Sequence, residues 1–353
     1  MTSDSTTTIN SSSKKVGLNG TPVQTSPLTS KKPAVDPVIK REYDWVLVLL
    51  VIHLNLLSIY AIYLVFTKAM YTTIFFTLLL VLVSTLGVTA GAHRLWAHRS
   101  YKANKRLRIL LMIAYTLVGQ GTIYNWVLKH RIHHKYLGTN KDPYNISKGL
   151  LYSHFLSNVE KASPQDEEIA KEIDMSDIEQ DGVVMFQKKY FWVLFVFVAC
   201  ILPVNAPMEY WGDSTINSVF IAGILFHCIA YHMAWLVNSA ILVWGLQPND
   251  KYPSDTNLVF LITKSYWPQY HHLTPWDYQC DEFGCYGSSC TTTFIRIWAA
   301  MGWATGLRTI DSAAVKEAVA NSLDTGLPIE VCLENAATGA ADKLENHYLY
   351  SNK

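Results

Sequence analysis

The sequence predicts an all-α integral membrane protein: four transmembrane helices in two hairpins, beneath a cytosolic helical cap that carries histidine boxes. Three observations lead there. Of the 353 residues, 50% are hydrophobic and only 16% charged, and the apolar content is gathered into long runs. Four of those runs reach or approach the length that crosses a bilayer. Seven of the 12 histidines stand in three clusters just beyond the runs: His93 and His98 in HRLWAH, His130, His133 and His134 in HRIHH, and His271 and His272 in YHH.

Taken in order, residues 1–42 read as a disordered cytosolic tail, rich in Ser and Thr, with Pro22, Pro27, Pro33 and Pro37 and no periodic apolar face. The tail has no apolar core of a signal peptide, and no arginine before Arg41 as a transit peptide would have. A membrane domain is expected over 43–310 and a C-terminal cytosolic tail over 311–353. The first run, Asp44 to Phe66, meets the second, Thr72 to Ala90, across Thr67 to Tyr71. The third, Tyr190 to about Pro203, meets the fourth, Ile216 to Ala240, across a short segment around Trp211. A helix rises about 1.5 Å per residue and the hydrocarbon core is about 30 Å thick, so runs of about 20 residues span it. Connections this short make each pair a hairpin that returns to the side it left.

All seven histidines then fall on one face. A fifth apolar stretch, Leu107 to Val127, is broken by Gly119, Gln120 and Gly121, and is expected to lie in the interface or to dip in and return. Lys40, Arg41, Arg94, Arg99, Lys188 and Lys189 crowd the histidine face. The positive-inside rule makes that face cytosolic, with both termini.

Several function classes drop out. A net charge of +1 leaves no nucleic-acid footprint. Six cysteines, two of them in spans, do not build a disulfide framework. Cys280, Cys285 and Cys290 match no common zinc spacing and read as reduced thiols.

The histidines need a chemical reason. His93 and His98 are five apart and His130 and His134 four apart, so each pair can face one centre from a helix or helix end. Imidazole suits iron, zinc and copper, and seven imidazoles exceed what one metal binds, so two metals are implied.

The motifs that carry these residues resemble the insect acyl-CoA desaturases, of the stearoyl-CoA or delta-9 type. They are GVTAGAHRLWAH, HRIHHK followed by DPYN, DMSDI, VVMFQKKY, WLVNSA, and YHH followed by TPWDY, and the likeness runs from about Asp44 to Thr309. The resemblance implies a four-span protein of the endoplasmic reticulum membrane with two irons in its cap. It implies a long-chain acyl-CoA substrate in a bent apolar tunnel, electrons from cytochrome b5, and O2 as oxidant, in unsaturated fatty acid biosynthesis.

Carried over residue by residue, the family pattern gives one iron to His93, His98, His130 and His134, with Asn238 holding that iron's water. It gives the second iron His133, His271 and His272 and two further histidines, whose positions here hold Leu242 and Pro268. Lys161 is the expected phosphate contact of the CoA head. The family's Trp-Ala-Arg-Asp before its second box reads Trp126, Val127, Leu128, Lys129. His227 and His232, inside the fourth run, are expected to make hydrogen bonds between helices, with a functional role as the alternative. An alternative to the desaturase reading is a paralogue with impaired or no catalysis that binds lipid or pairs with active desaturases; another is a hydroxylase on the same scaffold.

Overall fold

The computed structural model describes residues 41–244, 267–280, 282 and 286–344, so all but the last two residues of the expected N-terminal tail lie outside it. Within that range four helices are long and apolar enough to cross a membrane: α1 (Trp45–Thr67), α2 (Tyr71–Ala97), α6 (Gly182–Trp211) and α7 (Thr215–Ala240, whose helix continues to Trp244). Helix α1 starts where Asp44 accepts hydrogen bonds from the backbone N–H groups of Val46 and Leu47 (3.1 and 3.3 Å), an N-cap that satisfies donors the helix leaves orphaned. Phe66, Tyr71, Trp192 and Tyr210 are 82, 90, 74 and 83% exposed. An apolar surface of that extent needs an apolar solvent, and the protein is embedded in a membrane.

The third span departs from its expected bounds. It runs Gly182–Trp211 rather than Tyr190 to Pro203, because the residues that end its apolar run do not end the helix. Lys188 and Lys189 sit near its N-terminal end, where a long stem can carry the charge away from lipid; Lys188 Nζ lies 3.3 Å from the Tyr124 ring centroid. A kink at Tyr190 (φ −110°, ψ 19°) is absorbed within the helix, and Pro203 and Pro207 follow a π-helical segment, Val196–Ile201.

The two hairpin turns meet. Asp213, in the second turn, accepts hydrogen bonds from Met70 N–H (3.2 Å) and from the Thr73 hydroxyl in the first. Asn217 Nδ2 donates to Asp213 (2.7 Å) and to the Lys68 carbonyl (3.0 Å).

The fifth apolar stretch does not span. It forms α3 (Lys105–Thr116) and α4 (Ile123–Tyr136), parted by Gly119 and Gly121 at φ 78° and 87°, a left-handed backbone that glycine adopts without strain. Helix α3 lies close on α2, for a Cβ on Gly87 would stand 2.2 Å from Tyr115 N. Helix α5 (Pro164–Lys171) opens with a capping box between Ser163 and Asp166. Lys102–Ala103 pairs antiparallel with Ala304–Thr305, joining the α2–α3 connection to the segment after α9 (Cys290–Ala300).

The segment expected as a C-terminal tail carries two helices, α10 (Ser312–Thr325) and α11 (Ile329–Leu344). Val315, Ala318 and Leu333 pack there with Tyr270 and Trp276, so this hairpin covers the element that bears the third histidine box, α8 (Trp267–Leu273).

Candidate metal centre

Helix α2 changes pitch before it ends. Gly87–Ala97 is π-helical and His98 N–H donates to His93 O, five residues back (3.0 Å). A five-residue repeat sets His93 and His98 on the same face, and such bulges recur at functional sites. On α4, which Thr122 caps by accepting from Asn125 N–H (3.2 Å), His130 and His134 are one turn apart. Helix α8 brings His271 and His272.

Five of the predicted ligands form one cluster: one nitrogen from each of His93, His98, His130, His134 and His271 lies within 4.8 Å of the others. His98 Nε2 is 2.8 Å from His130 Nε2, and His93 Nε2 is 3.2 Å from His271 Nε2. The rings stand nearly perpendicular about the common point, at 79° for His93 and His98, 74° for His98 and His130 and 72° for His98 and His134. His133 and His272 make a separate contact, Nε2 to Nε2 at 3.4 Å. Sequence reasoning grouped His271 with that pair, whereas here its ring centroid is 4.9 Å from His98 and from His134 and 5.6 Å from His272.

The outer edges of three rings are held, and this decides what their inner edges offer. His93 Nδ1–H donates to Glu282 (2.6 Å), His130 Nδ1–H to Asn238 Oδ1 (2.8 Å) and His133 Nδ1–H to Asp142 (2.9 Å). A neutral imidazole has one N–H, so each Nε2 is left as a bare lone pair. Lone pairs that face one another repel unless a cation lies between them. His134 Nε2 is buried with no hydrogen-bond partner. Burial first, and then the neighbouring histidines, push His98, His130, His134 and His271 below the ordinary imidazole range. Neutral rings with convergent lone pairs and anchored outer edges are the donor set of a metal site.

Glu282 was not foreseen, because a carboxylate remote in sequence from its histidine leaves no spacing to read, whereas Asp142 opens the DPYN motif, nine residues after His133, without a role assigned to it. Burial pushes the Glu282 carboxyl up, but Arg94 and His93 outweigh it and hold the group at about 2. Arg94, itself 2% exposed, donates to both Glu282 oxygens (2.9 and 2.7 Å). Asn238, expected to act through water, is placed to orient His130. Leu242 lies on the continuation of α7, half-buried, and Pro268 is within α8.

A cavity of about 590 Å³ adjoins the cluster. Trp126, in its wall, stacks on His130 (4.9 Å, 16°). The lining includes Leu47, Tyr231 and Trp235 together with Arg41, Lys129, Lys161, Glu160, Asp166 and Glu167, so the expected phosphate contact lies on the cavity. Gly119 and Gly121 line it, and a Cβ on Gly121 would meet nothing within 4 Å.

His232 bridges helices, as expected for one of the two histidines within α7. Its Nε2–H donates to Asn55 on α1 (3.1 Å), and its Nδ1 accepts from His154 Nε2–H (2.9 Å). The Ser239 hydroxyl approaches His154 Nδ1 at 2.8 Å. His154, on the short turn Leu151–Phe155, is pushed down to about 4 by burial and by the facing His232 and is neutral. The His154 and His232 rings lie nearly in one plane (10°) with centroids 5.2 Å apart. That is the edge-to-edge geometry of an N–H···N bond, unlike the perpendicular rings of the metal cluster. Among the described residues, His227 bonds within its own helix, to Gly223 O (2.8 Å).

No family model matches the chain. Over 298 residues it is 42% identical to the acyl-CoA Delta-9 desaturase of Acheta domesticus, covering 84% of this chain and 82% of the relative. It is 38% identical over 292 residues to the acyl-CoA Delta-12 desaturase of Tribolium castaneum, covering 80 and 82%. It is also 38% identical over 282 residues to the stearoyl-CoA desaturase of Homo sapiens, covering 79 and 78%. Identity at this level over most of both chains, in a protein with four apolar spans and a histidine cluster at one end of them, shows that the chain belongs to the acyl-CoA desaturase family.

Proposed function

We propose that the protein is a membrane fatty acyl-CoA desaturase that introduces a double bond into a long-chain acyl-CoA in unsaturated fatty acid biosynthesis. The observation that carries this reading is the position of the imidazole cluster beside an apolar cavity that shares Trp126 with it. An acyl chain in the cavity would pass within reach of the metal ligands. The acyl CH2–CH2 unit loses two hydrogen atoms; O2 takes them up with two electrons from cytochrome b5 and two protons, and leaves as two waters. Two irons would supply the O2 chemistry for carbon–hydrogen bonds that no side chain could break. His93, His98, His130 and His134, with His271 clustered beside them, would hold one, and His133 and His272 would belong to the other. Asn238, Glu282 and Asp142 fix the ring orientations. Trp126 and the apolar wall position the chain and exclude water, while Lys161 meets the CoA phosphates. His98 borders a surface depression lined also by Arg99, Arg131, Lys135, Arg308, Glu172 and Asp174. The chain resides in the endoplasmic reticulum membrane with both termini cytosolic.

Expression in a desaturase-deficient yeast, with fatty-acid analysis, tests the activity: monounsaturated acyl product is expected, and none would refute it. Iron analysis of the same protein tests the ligands. His98→Ala should lose more iron than His272→Ala, and Leu242→His combined with Pro268→His should raise iron content, since it adds donors to the poorer centre.

A further inference from the structure

Helix α3 runs antiparallel along α2, for a Cβ on Gly87 would stand 2.2 Å from Tyr115 N and one on Gly91 3.4 Å from Leu111 Cβ. Gly87 follows Tyr71 by about 24 Å of helix, which leaves it inside a hydrocarbon core about 30 Å thick. Lys105 precedes Tyr115 by about 15 Å of helix, toward the histidine end. The helix therefore starts at the headgroup level and descends into hydrocarbon. Its exposed face follows that descent. Lys105, Arg106, Ile109, Leu110 and Ile113 are exposed at the three- and four-residue spacing of one stripe, cations in the shallow half and aliphatics in the deep half. Lys102, also exposed, stands just before it. The shallow end is fixed: Asn104 Oδ1 accepts from Leu107 N–H (3.0 Å), Asn104 N–H donates to Trp303 O (2.9 Å), and Lys102 pairs with Thr305.

Other cations at this end are matched within the protein. Arg94 pairs with Glu282, Arg99 and Arg131 with Asp177, and Arg108 with Asp181, which also accepts from the Trp96 indole N–H (3.1 Å). Lys102, Lys105 and Arg106 make no ion pair among the described residues. The sequence holds no Asp or Glu from Trp45 to Lys141 or from Phe283 to Ile310, so α2, α3 and the strand that pairs with Lys102 bring no acid to them. We propose that Lys102, Lys105 and Arg106 form a binding site for the headgroups of anionic phospholipids. An acidic protein would complement the three cations but not the aliphatic half that continues from them. A phospholipid presents an anionic head above an acyl chain and matches both. Anionic lipid is concentrated in the cytosolic leaflet, the side that the positive-inside rule predicts for this face.

The test is native mass spectrometry of the purified full chain in detergent micelles titrated with phosphatidylserine or phosphatidylcholine. A basic residue near an anionic surface contributes roughly fivefold, so the parent should bind phosphatidylserine at least about tenfold more tightly than phosphatidylcholine. Lys102→Gln, Lys105→Gln and Arg106→Gln combined should abolish that preference while binding phosphatidylcholine as the parent does, which also reports an intact fold. Arg106→Gln alone should lose roughly fivefold, which keeps the test decisive where the triple variant does not fold. The charge-retaining Lys102→Arg, Lys105→Arg and Arg106→Lys should keep the preference, and so should Lys188→Gln with Lys189→Gln. Undiminished preference in the Gln variants overturns the proposal. An equal loss in the Lys188 and Lys189 variant does so too, since net charge and not this stripe would then select the lipid. Inorganic phosphate at equal concentration should not displace phosphatidylserine; displacement would mean a free-anion site and overturn the lipid assignment.

Discussion

Glu282 takes three hydrogen bonds from two buried cations or cation formers, one from His93 and two from Arg94. It fixes the His93 tautomer and cancels the Arg94 charge at once. Glu282→Gln keeps the shape but removes the charge, so His93 loses a strong acceptor and Arg94 its counter-ion. Substitutions one step behind a ligand cost roughly 10 to 100-fold in metal affinity. Purified Glu282→Gln should therefore retain far less iron than the parent after dialysis against a weak chelator, and equal retention would show that the carboxylate does not hold the site. The histidines themselves were legible, because a run such as HRIHH has few structural uses. The residues behind them were not. Glu282 looks like any surface acid, and His154 like any isolated imidazole, until folding places each against its partner.

Between elements, the polar run Asn55, His232, His154 and Ser239 links α1, α7 and the turn Leu151–Phe155 within otherwise apolar packing. Neutral rings settle its direction, with each N–H committed to the next acceptor. His232→Phe conserves ring bulk and strands Asn55 Oδ1 and His154 Nε2 without their ring partner; unsatisfied groups of this kind cost about 1–3 kcal/mol each. The melting temperature of the solubilised protein should fall. The triple replacement Asn55→Leu, His154→Phe and His232→Phe should be milder than the single, because it removes the partners together. A single variant that melts like the parent would show that the run contributes nothing. Element bounds were read from hydropathy, which explains the error at α6. Lys188, Lys189, Pro203 and Pro207 interrupt an apolar count, but a snorkelling lysine and a proline beside a π-helical turn interrupt no helix. Hydropathy did exclude 107–127 as a span, since Gly119 and Gly121 sit where the backbone turns left-handed. It could not show how closely α3 lies on α2, a contact that depends on Gly87 having no side chain.

At the scale of the whole molecule, the contact between the turns fixes the topology. Asp213 binds Met70 and Thr73, and Asn217 binds the Lys68 carbonyl, so both turns lie at one end of the four spans. The imidazole cluster draws on the far ends of α2 and α4, and on α8 beyond α7. Moving either hairpin to the opposite orientation would separate Asp213 from Met70 and divide the ligands between two compartments, so the orientations are coupled. Arg94, Arg99 and Arg131 stand at the cluster end, and the positive-inside rule predicts that this end faces the cytosol. A tag appended at either terminus of microsomal protein should accordingly be cleaved by added protease without detergent. A glycosylation acceptor inserted after Ala69 or after Gly212 should be modified, provided a flexible linker carries it clear of the bilayer. Modification of one loop but not the other would break the coupling that Asp213 implies, and a protected tag at the C-terminus would place α10 and α11 across the membrane from Tyr270 and Trp276, which they are packed against.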